Sequence, residues 1–111
     1  MQITNYNKQT YKPNFEKFIK IKAKPKEIDK FKKDLHEKNN EIIQLGVKRH
    51  SGEKLLYLFT GKDTETFWDI GSKMYFGEFR RNIEKYYPKK PQKMGIEEAI
   101  KKLKQGYFKK K

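Results

Sequence analysis

Five consecutive apolar residues, LLYLF at 55–59, restrict the folds that this chain can adopt. A short run that is rich in large side chains and bounded by turn residues is typical of a strand buried on both faces. We therefore predict that a strand at 54–60 lies in the middle of a sheet. Because both of its faces are apolar, we also expect other elements to cover the sheet above and below.

The residues before this run predict two further strands and a helix. Residues 18–24 alternate between apolar and basic side chains, which is typical of a half-buried strand with a row of lysines on its outer face. Pro25 suits the first position of a helix, and apolar residues then recur at helical spacing up to residues 39–40. Residues 41–48 alternate again, and the glycine-containing turn that follows predicts a hairpin with strand 54–60.

The second half of the chain predicts helices. Apolar residues at helical spacing indicate a long helix that Asp63 or Thr60 caps, that kinks near Gly77 and that ends before Pro88. This helix is apolar on all sides, so we expect its aromatic residues to lie in the core. They are Phe67, Trp68, Tyr75 and Phe79. A final amphipathic helix follows at 94–106, where Gly106 stops it.

Together these elements predict a small single α+β domain with a three-stranded sheet in β-α-β-β-α-α order. A right-handed crossover from the first strand to the second places the third strand between them and leaves the first strand at an edge. The order resembles a split β-α-β, or ferredoxin-like, sheet that lacks its last strand, with the helices packed on it. Along the chain we expect an extended polar N-terminal arm at 1–14, the core domain at 15–87, a basic Pro/Lys linker at 88–93, the C-terminal amphipathic helix at 94–106 and a basic tail at 107–111.

Composition favours a small folded core over a disordered chain. Hydrophobic residues are 34% of the chain and charged residues are 38%, a balance that is typical of disorder. Aromatic residues, however, are 14% of the chain, and each one buries a large area when it is packed. The length of 111 residues is enough for one such core and one domain.

The sequence also excludes several classes of function. The chain has no cysteine, which excludes thiolate nucleophiles, disulfides and cysteine-based metal sites. No apolar run approaches the roughly 18 residues of a membrane span, and residues 1–15 lack the apolar segment of a secretion signal. We therefore expect a cytoplasmic protein, in the host cytoplasm if it is viral, with no cofactor, no metal and no membrane partner.

The net charge of +14, from 28 basic and 14 acidic side chains, predicts a polyanionic partner. Alternate residues of the first strand recur at about 6.6 Å, near twice the roughly 3.4 Å spacing of phosphates along one DNA strand. Tyrosines beside the cations offer surfaces on which bases stack. The residues expected to bind nucleic acid or an acidic partner are Lys20, Lys22, Lys24, Arg80, Arg81, Lys85, Lys89, Lys90, Lys93, Tyr86 and Tyr87.

The abundance of lysine also has two possible causes that involve no binding partner. Lysines on an edge strand prevent sheets from pairing edge to edge and aggregating. A bias toward lysine also arises from an AT-rich genome.

From these features we expect a non-enzymatic protein that binds the phosphate backbone of DNA or RNA. The basic residues are lysines apart from Arg49, Arg80 and Arg81, and lysine favours point-charge contact over the reading of bases. The size, the basicity and the lack of catalytic motifs resemble the accessory proteins of phages and mobile elements.

Two alternatives belong to different classes of function. A small inhibitor or adaptor with an anti-defence role, in the manner of an anti-CRISPR, would dock on an acidic or nucleic-acid-handling protein, and the lysines would steer the encounter. An RNA-cleaving toxin would place a base, a cation and a carboxylate close together for acid–base chemistry. The residues for that chemistry are Arg49, His50, Ser51 and Glu53.

Overall fold

The computed structural model has an α+β fold whose sheet is centred on the apolar run. The first three strands are β1 (Lys17–Ala23), β2 (Ile43–Lys48) and β3 (Lys54–Thr60). Strand β3 lies between the other two and is antiparallel to both, as the sequence predicts. Residues 55–60 are all buried, which confirms that this strand is covered on both faces.

Five helices lie within residues 17–109, the part of the chain that the structure describes. They are α1 (Pro25–Lys38), α2 (Lys62–Gly71), α3 (Phe76–Arg81), α4 (Ile83–Tyr86) and α5 (Ile96–Lys104). The arm predicted at 1–14 and the end of the predicted tail, residues 110–111, lie outside this part.

A fourth strand, β4 (Gln92–Gly95), pairs in parallel with β1 and corrects the predicted sheet. Within the described residues the sheet therefore has four strands in the order β2-β3-β1-β4. The predictions of three strands and of β1 at an edge were wrong. The sequence of β4 does not show the alternation of a strand, because it has four residues and Met94 is its one buried residue. Its main-chain pairing with β1 leaves no pattern in the side chains. It begins inside the segment predicted as a linker at 88–93.

Helices α1 and α5 cover one face of the sheet. The buried side of α1 consists of Ile28, Phe31 and Leu35, the stripe that the helical spacing predicts. Helix α5 ends before Gly106, whose positive φ of 84° turns the chain so that Phe108 is buried edge-on against Phe31. The sheet residues of this core are Ile19, Ile21, Ala23, Leu56, Leu58 and Met94.

Helices α2, α3 and α4 cover part of the opposite face. Their core contains Phe67, Phe79, Ile83 and Tyr87 together with the sheet residues Phe18, Leu45, Leu55, Tyr57 and Phe59. Residues two apart on a strand share a face, so Lys20 and Lys22 lie on the same face as Phe18. The side chain of Lys22 is 56% exposed, because the helices leave its end of the sheet open.

Three short helices replace the long helix predicted from Asp63. Helix α2 ends at Gly71, residues 72–75 are not helical, and α3 begins at Phe76. The chain therefore bends before Gly77 rather than at it. The main-chain N–H of Ser72 donates to the carbonyl oxygen of Trp68, which closes the last turn of α2.

The four aromatic residues expected in the core divide into a buried pair and an exposed pair. Phe67 and Phe79 are buried with their ring centroids 5.4 Å apart, as expected. Trp68 and Tyr75 are 63% and 75% exposed, so the expectation that they lie in the core was wrong. The pattern misled because each short helix needs only one apolar side, and the aromatic residues on the other sides face solvent.

Candidate functional site

The open end of the second face forms a cleft between the β2–β3 hairpin and the α3–α4 segment. Its volume is about 620 Å³. Residues 47–51 and two residues of β3 form one wall, and residues 80–85 form the other. The charged and titratable residues that line it are Lys48, Arg49, His50, Tyr57, Arg80, Arg81, Glu84 and Lys85.

A second groove of about 380 Å³ adjoins this cleft. Lys20 and Lys22 of β1 and Lys93 of β4 line the groove, and Arg49 lines both spaces. The parallel register pairs Lys20 with Lys93, which is how a residue of the predicted linker comes to lie beside the lysine row. The cleft and the groove together are named the basic cleft below. Its basic residues are Lys20, Lys22, Lys48, Arg49, Arg80, Arg81, Lys85 and Lys93.

Glu84 is the carboxylate among the residues that line the basic cleft. Its Oε2 lies 2.7 Å from Nζ of Lys20, whose side chain is only 18% exposed. The same oxygen accepts a hydrogen bond of 2.5 Å from the hydroxyl of Tyr57. Lys20 and Tyr57 face each other across the β1–β3 pair, so Glu84 fastens α4 to both strands.

These contacts fix the charge of Glu84 in the wall of the cleft. Burial acts to raise the pKa of Glu84, but the hydrogen bonds from Lys20 and Tyr57 outweigh it and hold that pKa below its ordinary value. Burial, and then the hydrogen bond to Glu84, raise the pKa of Tyr57. At neutral pH Glu84 is therefore an anion and Tyr57 a neutral donor.

Arg80 is oriented by the sheet. Its Nε–H donates to the carbonyl oxygen of Gly46 at 2.9 Å, across the boundary between α3 and β2. Gly46 lies in β2, a strand with one neighbour, so its main chain is within reach of a side chain from α3. The bond presents the guanidinium at the wall of the basic cleft.

Three of the predicted cations do not line the basic cleft. Lys24 is exposed just before α1. Lys89 lies 2.9 Å from the carboxylate of Asp63, and Lys90 is exposed beside it. The register pairs Lys17 with Thr60, so the Asp63 end of the sheet is the end opposite the hairpin.

The two predicted tyrosines have contacts elsewhere in the fold. Tyr87 is buried, and its hydroxyl donates to the carbonyl oxygen of Asp63 at 2.5 Å. Burial, and then the charge of Asp63, raise the pKa of Tyr87. The hydroxyl of Tyr86 donates to the carboxylate of Glu78 at 2.7 Å, which raises the pKa of Tyr86. Neither residue is among those that line the basic cleft.

The hairpin residues considered for RNA cleavage divide between two places. Arg49, His50 and Ser51 line the cleft, while Glu53 does not. The hydroxyl of Ser51 lies 3.3 Å from the carboxylate of Glu53, which in turn is 3.9 Å from Nζ of Lys22. The structure therefore brings the hairpin next to the lysine row, two features that are separate in the sequence.

Sequence reasoning missed the contributions of Lys48, Tyr57 and Glu84 to this site. Tyr57 carried a usable signal, because it alternates with Leu56 and Leu58 and faces the lysine side of the sheet. Glu84 carried none, since its place depends on how α3 and α4 turn back over the sheet. Arg49 was assigned to the hairpin, and only the fold shows that it joins the two spaces.

Within residues 17–109, no three histidine, cysteine or acidic side chains come together as ligands of a metal ion. None of the helices described here combines the length and the apolar character needed to cross a membrane.

No protein-family model, curated protein or solved structure matches this chain.

Proposed function

We propose that this chain is a non-enzymatic nucleic-acid-binding protein that holds the phosphate backbone in the basic cleft. The convergence of cations from separate parts of the sequence carries the proposal. Strand β1, the hairpin, the α3–α4 segment and β4 each contribute to one continuous surface. Among the described residues, Glu84 lies against Lys20 and Glu53 lies near Lys22, while eight basic side chains line the surface, so it has a large excess of positive charge.

The position of β1 supports a binding role for the lysine row. Lysines that prevent aggregation belong on edge strands, where unpaired main-chain groups could join another sheet. Strand β1 is paired on both sides, by β3 and by β4, and needs no such protection. Protection of an edge therefore does not explain why Lys20 and Lys22 lie on this face, and a binding role does.

The arrangement of the lysines also suits a phosphate chain. Lys20 and Lys22 recur at about 6.6 Å along β1, and Lys93 lies on the neighbouring strand about 4.8 Å away. A chain of phosphates can meet several of these cations at once. Each contact releases counterions, so affinity should fall steeply as salt rises.

A pair of matched double variants tests the site. Arg49→Gln with Lys93→Gln removes two charges from the basic cleft, and Lys90→Gln with Lys101→Gln removes two charges outside it. Fluorescence anisotropy with labelled DNA and RNA, at salt from about 50 to 200 mM, gives the affinity and its salt slope. We expect the cleft variant to lose roughly tenfold or more in affinity and about 0.7 to 0.9 of slope per lost contact.

The control variant should keep nearly the full affinity and slope. An equal loss in both variants would show that total charge matters and the cleft does not. An affinity that does not change with salt would contradict backbone binding altogether.

An acidic protein partner is the second candidate, and Trp68 favours it. This residue lies on α2, is 63% exposed and is not among the residues that line the basic cleft. Exposed tryptophans are frequent anchors of protein interfaces. An inhibitor or adaptor of the anti-defence kind would form a stoichiometric complex that survives nuclease treatment and is lost in Trp68→Ala.

We also propose a topological relationship and a setting. Strands β1 and β2, joined by α1 and separated by β3, are proposed as a split β-α-β unit of the ferredoxin-like kind. A second crossover of that kind would make the last strand parallel to β3, whereas β4 is parallel to β1. The proposed setting is the cytoplasm, as an accessory protein of a phage or mobile element.

A further inference from the structure

An exposed aromatic ring lies beside a cation of the basic cleft at the start of α3. Tyr75 is 75% exposed and immediately precedes α3. Arg81, at the other end of α3, lines the cleft. Both side chains lie close to Gly77: the position that a Cβ of residue 77 would take lies 2.8 Å from Cε2 of Tyr75 and 3.3 Å from an outer nitrogen of Arg81.

Gly77 makes this approach possible because it has no side chain. Any Cβ at that position would stand closer to the Tyr75 ring than carbon atoms tolerate. The ring and the guanidinium therefore both lie close to one point beside Gly77. Arg81 lines the basic cleft, and Tyr75, which does not, lies next to that residue. The ring is flat, largely solvent-accessible and set next to a group that binds phosphate.

A nucleotide carries groups that suit both side chains, a flat base and a charged phosphate. Proteins that bind single strands combine a basic groove with aromatic rings on which bases stack. A duplex keeps the faces of its bases inside its own stack, so a ring at the rim of a groove reaches only unpaired bases.

We propose that Tyr75 stacks on an unpaired base while Arg81 contacts the adjoining phosphate, so that the nucleic acid of the basic cleft is single-stranded. This inference rests on the proposed function and makes it more specific. Tyr75 is the stacking residue, Arg81 the phosphate contact, and Gly77 a positioning residue that keeps the two side by side.

The test uses the full chain and three variants. Tyr75→Ala removes the ring, Tyr75→Phe keeps it without the hydroxyl, and Gly77→Ala displaces it. Gly77→Ala preserves the fold, because the ring that must move is exposed and alanine is the better helix former within α3. Trp68→Ala is the matched control, since it removes an exposed aromatic residue from outside the basic cleft.

Fluorescence anisotropy would be measured on labelled single-stranded DNA, single-stranded RNA and duplexes of the same sequence, with thermal unfolding as a check of the fold. We expect Tyr75→Ala and Gly77→Ala to weaken single-strand binding by about fivefold or more. Tyr75→Phe and Trp68→Ala should bind like the parent chain. The salt slope should stay the same in all four, because none of them removes a charge.

The DNA and RNA arms show which sugar the site accepts, and a loss on either supports the proposal. Unchanged single-strand binding in Tyr75→Ala would overturn it, and so would an equal loss on duplexes. Those results leave the basic cleft as a backbone site. If the parent chain binds neither single strands nor duplexes with a salt dependence, the proposed function fails together with this inference.

Discussion

Nζ of Lys20 lies 2.7 Å from the carboxylate of Glu84, and this ion pair links β1 to the wall of the basic cleft that residues 80–85 form. The hydroxyl of Tyr57 donates to the same carboxylate, so one acidic side chain links β1, β3 and α4. A phosphate that enters the cleft meets this carboxylate among the cations. In the proposed function, Glu84 would compete with phosphate for Lys20 as well as link the three elements.

Glu84→Gln should tighten the binding of nucleic acid. The change removes the negative charge that repels phosphate and frees Lys20 to contact it. We expect a gain on the order of fivefold, since a unit charge a few ångströms away contributes about 1 kcal/mol in water. Anisotropy at low salt measures the effect. Glu97→Gln, which makes the same charge change on α5, is the control and should alter affinity little.

The same variant should be less sensitive to acid. The pKa of Glu84 is held below its ordinary value of 4.5, so its contribution to stability is complete above that pH and is lost as pH falls through the lower value in the fold. The free energy of unfolding, measured in urea between about pH 3 and 6, should fall less steeply in Glu84→Gln than in the parent chain. Identical slopes would show that the ion pair with Lys20 contributes nothing.

Substitutions of Arg80 should separate charge from geometry. Arg80→Lys keeps the charge but loses the Nε–H bond to the carbonyl of Gly46, so affinity should fall a few-fold with the salt slope unchanged. Arg80→Gln should lower the slope as well, by about 0.7 to 0.9 if one phosphate contact is lost. A salt slope that is the same for both variants would remove Arg80 from the phosphate contacts.

Phe108→Ala should destabilise the whole domain. The Phe108 side chain is 1% exposed and packs edge-on against Phe31, and its carbonyl oxygen accepts a hydrogen bond from the side chain of Asn39. Loss of a buried phenylalanine costs about 3 to 5 kcal/mol. Ile100→Ala, at a position that is 39% exposed on α5, should cost much less. Urea denaturation of both variants makes the comparison.

Much of the first half of the fold is readable from local pattern. Alternation gives β1 and β2, the stripe of Ile28, Phe31 and Leu35 gives α1, and the apolar run gives β3 its central place. Each of these elements buries its own apolar face, so the spacing of its own apolar residues predicts it.

The second half is less readable, because its elements depend on distant partners. Strand β4 pairs with β1 through main-chain hydrogen bonds, and Met94 is the one residue of β4 whose apolar side chain indicates burial. The bend at residues 72–75 allows both Phe67 of α2 and Phe79 of α3 to pack in the same core, and a local sequence pattern does not show that packing. For the site, single cations such as Lys20 and Arg80 could be predicted, but the ion pair of Lys20 with Glu84 and the hydrogen bond of Arg80 to Gly46 depend on how the helices lie over the sheet.

The parallel pairing of β1 with β4 also affects the order in which the domain can assemble during synthesis. Ile19 of β1 aligns with Gln92 of β4, more than seventy residues further along the chain. At roughly 5 to 20 residues per second, a ribosome needs several seconds to make the segment between them. During that interval β1 has an open edge, with its lysines and its main-chain groups exposed in the nascent chain. A chain interrupted before residue 92 would keep that edge open, and its lysines would then be the charges that oppose pairing with another sheet.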